Sequence, residues 1–132
     1  MSVYVDTSAF LAVLDADDEY HPQAKRVWEE LLRAGVPLIC SSYVLVETYA
    51  LVQHRLGLEA LKVFHEDIFP LLRVERVEET LHENAANAVL TAKQQRLSLV
   101  DCVSFALMRR LGLKEAFAFD QDFGAQGFTC LP

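Results

Sequence analysis

The chain has 132 residues, 52% of them hydrophobic, and a formal net charge of −7. That length suits one domain with a real core, and the acidity argues against a protein that grips nucleic acid through bulk positive charge. It leaves open a nucleic-acid enzyme whose acidic cleft holds metal ions.

Val3, Tyr4 and Val5 favour a short buried strand. Asp6, Thr7 and Ser8 follow with helix-capping oxygens, ahead of an apolar helical run over 9–14. An acidic connection over 15–19 leads to His21-Pro22, which opens a second helix whose Ala24, Val27, Trp28, Leu31 and Leu32 share one face. Gly35 ends that helix, and 36–40 reads as a second strand. Ser41 and Ser42 cap a third helix over 43–56, and a fourth is expected over 58–69 with Leu61, Phe64 and Ile68 inward. An alternating third strand spans 72–77, and a helix spans 78–95 with Leu81, Ala85, Ala88, Val89 and Ala92 inward. A break at 96–98 precedes a helix over 99–111 that Gly112 closes. The strand 116–119 ends in Asp120, and 127–131 is a short edge strand. Short strands alternating with helices imply one three-layer α/β/α domain around a short parallel sheet.

No segment nears the roughly 18 uncharged apolar residues of a membrane span. The start shows neither a basic region nor a cleavage site, so a cytoplasmic protein is expected. The apolar surplus fits an oligomer interface. Cys40, Cys102 and Cys130 show no C-x-x-C pair and read as buried thiols in a reducing compartment. His21, His54, His65 and His82 lack ligand spacing and read as surface or helix-terminal groups.

Four carboxylates stand where solvation alone does not explain them. In open α/β sheets ligands sit beyond the carboxyl ends of the strands, and both Asp6 and Asp120 end a hydrophobic strand. Capping accounts equally for Asp6, and an aspartate-rich turn for Asp120 and Asp122. Glu47 lies in a helix apolar nearly all round, with no basic residue within a turn. It is therefore expected to be partly buried and in need of a cation, unless it pairs elsewhere or reaches solvent. Ser98-Leu99-Val100-Asp101 fits a capping box, so Asp101 has a structural use as well. If Asp6, Glu47, Asp101 and Asp120 gather, each pair about 5 Å apart repels by about 3 kcal/mol at an effective dielectric of 20. Protons or divalent cations must then intervene. Oxygen ligands without His or Cys point to Mg²⁺ or Mn²⁺, ions suited to phosphodiester hydrolysis.

V-D-T-S at Asp6, the lone helical Glu47, S-L-V-D at Asp101 and F-D-Q-D-F at Asp120 together resemble the PIN-domain ribonucleases. The likeness is strongest to the VapC toxins of prokaryotic toxin–antitoxin pairs, and it runs the length of the chain. It implies a metal-dependent endoribonuclease acting on RNA, with Asp6, Glu47, Asp101 and Asp120 as catalytic and metal-binding carboxylates. Asp122 would be an auxiliary acid, and Ser8 a hydroxyl supporting Asp6. It also implies a homodimer silenced by a VapB-like antitoxin, with DNA bound only through that antitoxin. The third helix could pack on the sheet with one face and on a second subunit with another. One departure is Ala118, where the family often has Ser or Thr two residues before the last site aspartate.

Lys93, Arg96, Arg109 and Arg110 are candidates for phosphate contacts, with solvated helix faces as the competing use. Other readings are a PIN-type nuclease of RNA processing and a non-catalytic acidic module binding a cation or a protein. A receiver-type phosphoacceptor domain fits poorly, because Lys114 precedes the last long strand instead of following it.

Overall fold

The computed structural model describes residues 1–92 and 97–132. Five parallel strands form one sheet in the order β3-β2-β1-β4-β5: β1 (Val3–Val5), β2 (Leu38–Ser41), β3 (Leu72–Glu75), β4 (Glu115–Phe117) and β5 (Thr129–Leu131). The helices are α1 (Thr7–Leu14), α2 (His21–Ala34), α3 (Ser42–Leu56), α4 (Leu58–Val63), α5 (Glu79–Ala92), α6 (Leu99–Leu111) and α7 (Gln121–Ala125). The expected α/β architecture is therefore the one observed.

β1 is the central strand, and Val3, Tyr4 and Val5 are each fully buried because both faces are covered. From β1 the chain winds outward to β2 and β3, then returns to the other side of β1 as β4 and β5. Right-handed crossovers put the helices of these two halves on opposite faces. The winding reverses between β1 and β4, and this reversal point opens a crevice beyond their carboxyl ends.

Tyr4 Oη pairs with Ser104 Oγ of α6 at 2.7 Å and accepts from the Ser41 N–H of β2 at 3.3 Å. A buried polar group thus locks three elements together beneath the crevice. Burial pushes the Tyr4 phenol far up from its usual value, so it remains a neutral hydrogen-bonding group.

Several expectations need correction. α4 ends at Val63 and passes through a wide π-type turn, Phe64–Ile68, and a 3₁₀ turn, Phe69–Leu71. Pro70 has no N–H to continue an α-helical ladder, and the Phe69 N–H bonds the Phe64 carbonyl instead. The wide turn brings Phe64 and Ile68 into the core. Leu32 is 43% exposed, and Ala88 and Ala92 also face outward, because the buried stripes of α2 and α5 are narrower than their apolar patterns. β4 lies one residue earlier than expected and stops at Phe117. Residues 118–119 then run on to α7, a helix the sequence reading did not contain. The expected stretch 93–96 lies outside the described residues.

Candidate metal centre

Three helix starts converge at the β1–β4 crevice. Asp6 is the N-cap of α1, its Oδ2 accepting from the Ser8 N–H at 3.1 Å and the Ser8 hydroxyl at 2.6 Å. Asp120 is the N-cap of α7, its Oδ1 accepting from the Asp122 N–H at 2.9 Å. Asp101 sits in the first turn of α6 and closes a capping box. It accepts from the Ser98 N–H at 3.2 Å, and its own N–H donates to Ser98 Oγ at 3.0 Å. The capping readings of Asp6 and Asp101 are therefore right, and they do not compete with a site. A carboxylate offers about four lone-pair sites over two oxygens, so capping through one oxygen leaves capacity for a cation.

Oxygens of Asp101, Asp120 and Asp122 all lie within 4.8 Å of one another. Asp122 is only 6% exposed, so the residue expected as an auxiliary acid stands inside the cluster. Asp6 is 5% exposed and is electrostatically coupled to Asp120 and Glu47, while Asp101 is coupled to Asp6 and Asp120. Burial, above all, pushes both Asp6 and Asp101 up from 3.8 to about 6. The neighbouring carboxylates push the same way, and the Ser8 and Ser98 hydrogen bonds oppose them. Glu47 is half-buried on α3, as expected, and its charge reaches Asp6. The ion pairs found among the described residues, Arg73–Glu75 and Arg110–Glu78, do not involve it.

The cluster is held by hydroxyls. Ser8 Oγ donates to Asp6 and also accepts from the Phe119 N–H at 3.0 Å, so one side chain ties the ends of the two central strands together. Thr48, fully buried beside Glu47, bonds the Val44 carbonyl at 2.7 Å and Thr7 Oγ1 at 3.1 Å. The turn of α3 bearing Glu47 is thereby fastened to the turn that follows Asp6. The sequence read Thr7 only as a helix-capping residue and passed over Thr48; the available signal was a hydroxyl directly beside each carboxylate in an otherwise apolar run. Ser8→Ala is expected to cost about 1–2 kcal/mol of stability by leaving the Phe119 N–H poorly satisfied. Loosening a ligand in this way should lower activity about 10–100-fold. Thermal melting and single-turnover rates check the two effects separately.

The basic candidates lie elsewhere. Arg109 bonds the Gln126 carbonyl and side chain at 3.2 and 2.7 Å and covers the Phe128 ring at 5.2 Å. Arg110 pairs with Glu78 at 2.6 Å. Both occupy the last turn of α6, about 12 to 13.5 Å along the axis from Asp101 at 1.5 Å per residue. Lys93 and Arg96 lie outside the described residues. Cys40 and Cys102 are buried free thiols, whereas Cys130 is partly exposed at the sheet edge, contrary to its expected burial. His21 bonds the Ala12 carbonyl, and His65 and His82 pair with Tyr49 and Tyr43.

Residues 3–128 match the PIN domain. Over 130 residues the chain is 37% identical to the 23S rRNA-specific endonuclease VapC20 of Mycobacterium tuberculosis, covering 96% of this chain and 95% of that one. The chain is a PIN domain of the VapC type. A VapC ribonuclease of Aquifex aeolicus is 23% identical over 124 residues, covering 94% and 91% of the two chains. The crystal structure of M. tuberculosis VapC20, described as a sarcin-ricin loop cleaving toxin, matches this PIN domain with a TM-score of 0.83 over 97% of both chains. FitAcB from Neisseria gonorrhoeae shares the fold, with a TM-score of 0.69 at 16% identity over 98% of this chain and 96% of that one.

Proposed function

We propose that this PIN domain is a divalent-metal-dependent endoribonuclease and the toxin of a toxin–antitoxin pair. The observation that carries the reading is the convergence of Asp6, Asp101, Asp120 and Asp122 at the sheet's reversal point. The donor set fits a hard cation. Among the described residues every candidate ligand atom is a carboxylate oxygen and no His or Cys joins the cluster, and Asp6 and Asp101 sit where burial opposes their charge. Mg²⁺ or Mn²⁺ bound there would supply an activated water and stabilise the departing oxygen of the phosphodiester.

Asp101, Asp120 and Asp122 would hold the ion. Asp6 would complete the site from β1, and Glu47 would approach from α3. Ser8 would hold Asp6 in place through a single carboxylate oxygen, Oδ2. None of these groups needs to act as a covalent nucleophile.

The VapC likeness supports a VapB-like antitoxin as partner, and a second copy of the chain is proposed beside it; Val46 on α3, 68% exposed, offers an apolar contact for that second copy. DNA would be reached only through that antitoxin, and the pair would work in the cytoplasm. Among the described residues no helix is long and apolar enough to cross a membrane.

The test is a panel of structured RNAs incubated with the purified chain and Mg²⁺ or Mn²⁺, with cleavage ends mapped and EDTA as control. Discrete internal cuts that vanish in EDTA are expected. Metal-independent cutting, or none on any RNA, would sink the assignment. Light scattering on the same preparation should give a two-chain mass; a single-chain mass removes the homodimer.

A further inference from the structure

The loop between α1 and α2 carries an aromatic ring onto Phe119, the residue before Asp120. Tyr20 stacks on Phe119, with ring centroids 4.7 Å apart and planes 11° from parallel. Phe119 immediately precedes Asp120, and its N–H is held by the same Ser8 hydroxyl that bonds Asp6. Tyr20 is nevertheless 40% exposed, so the stack leaves much of its ring in solvent.

The main chain that carries the ring is also held in place. The Tyr20 N–H donates to Asp18 Oδ1 at 2.8 Å, and the Asp17 N–H donates to Asp15 Oδ1 at 3.0 Å. His21 Nδ1 donates to the Ala12 carbonyl at 2.8 Å and pins the start of α2 to α1. The loop's shape is therefore set before any ligand arrives, which spares the ordering cost of binding.

A rigid, exposed aromatic face beside a phosphodiester-cleaving site matches the way proteins take hold of single-stranded RNA, by stacking splayed bases on aromatic rings. The surrounding charge decides which part of the RNA the ring can accept. Asp15, Asp17, Asp18 and Glu19 make the loop acidic, so a phosphate is repelled, whereas an uncharged base with N–H donors is not.

We propose that Tyr20 is a nucleobase platform. An unpaired base of the RNA stacks on its open face and extends the Phe119–Tyr20 stack, which sets the adjoining phosphodiester over Asp120 and its neighbours. This inference rests on the endoribonuclease reading.

The experiment uses single-stranded RNA hexamers carrying 2-aminopurine at each position in turn, mixed by stopped flow with the Mg²⁺-loaded chain. Stacking quenches the fluorophore. At one or more positions the wild-type chain and Tyr20→Trp are expected to quench, while Tyr20→Ala raises Kd about tenfold or more at a temperature where melting curves show both variants folded. KM for cleavage should rise in step. An unaltered Kd in Tyr20→Ala overturns the platform. So does a Tyr20→Ala chain that binds RNA normally but sheds a protein partner, since the ring would then belong to a protein interface. If no RNA is cut yet the Tyr20-dependent quench persists, the endoribonuclease reading fails and the platform stands.

Discussion

Asp120→Asn is expected to abolish RNA cleavage, by about a thousandfold or more, or roughly 4 kcal/mol of barrier, while the fold melts no lower than the parent. The two halves of that expectation come from different features of one carboxylate. As an N-cap, asparagine is as good as aspartate, and its amide oxygen can still accept the Asp122 N–H that Asp120 Oδ1 accepts at 2.9 Å. As a ligand it is a poor substitute, because a neutral amide removes one of the charges on which a hard cation depends. Asp6→Asn should behave alike, since its amide oxygen can still accept from the Ser8 N–H and hydroxyl. Single-turnover rates paired with melting curves decide the matter. Undiminished cleavage by either variant would remove these residues from the site.

The metal-free chain should become less stable as pH rises from 5 to 7, against the usual behaviour of buried, hydrogen-bonded carboxylates. Asp6 and Asp101 are held near 6, above their ordinary 3.8, because burial and neighbouring carboxylates disfavour their charge. A raised carboxyl favours the folded state while it is protonated. That stabilisation is complete below the unfolded value near 3.8 and is lost as pH climbs through 6. For Asp6 alone the whole loss, from below 3.8 to above 6, amounts to about 3 kcal/mol, of which roughly 1.3 kcal/mol falls between pH 5 and 7; Asp101 acts in the same direction, the two titrating as a coupled set. EDTA-stripped protein should therefore melt higher at pH 5 than at pH 7, and Mg²⁺ at pH 7 should restore the difference. Asp101→Asn should flatten the profile and be no less stable than the parent at pH 7 without metal, since an amide oxygen still serves the Ser98 N–H. A large loss of stability in that variant would mean that its carboxylate matters chiefly as a cap.

Much of this molecule could be read from residue order alone, for identifiable reasons. β1 and α1 were legible because Val3, Tyr4 and Val5 run directly into capping residues, and α6 because Ser98 and Gly112 mark its two ends. The positions of Asp6 and Asp120 followed from a general rule about strand ends. α7 stayed hidden because five residues give too few turns for a hydrophobic period, and Asp-Gln-Asp reads equally well as a turn. The π-type turn after Val63 stayed hidden because Phe64 and Ile68 suit an ordinary helix just as well. α3 looked apolar all round, yet Val46 and Ala50 face outward, since an apolar residue is not obliged to be buried. The threonine clasp and the Tyr20–Phe119 stack join segments far apart in sequence, and no local pattern announces such pairings.

The reversal between β1 and β4 also has a consequence in time. Ser8 and Phe119, the pair that draws Asp6 toward Asp120, are separated by 111 positions, so the crevice is among the most non-local features of the fold. Synthesis proceeds from the N-terminus at about 5–20 residues per second, and Asp6 and Glu47 leave the ribosome several seconds before Asp120 and Asp122. Until β4 pairs with β1, the nascent chain carries scattered carboxylates and no cation site. By this topology the acidic crevice is among the last features the chain can complete, because its closure waits on β4 and the residues that follow it.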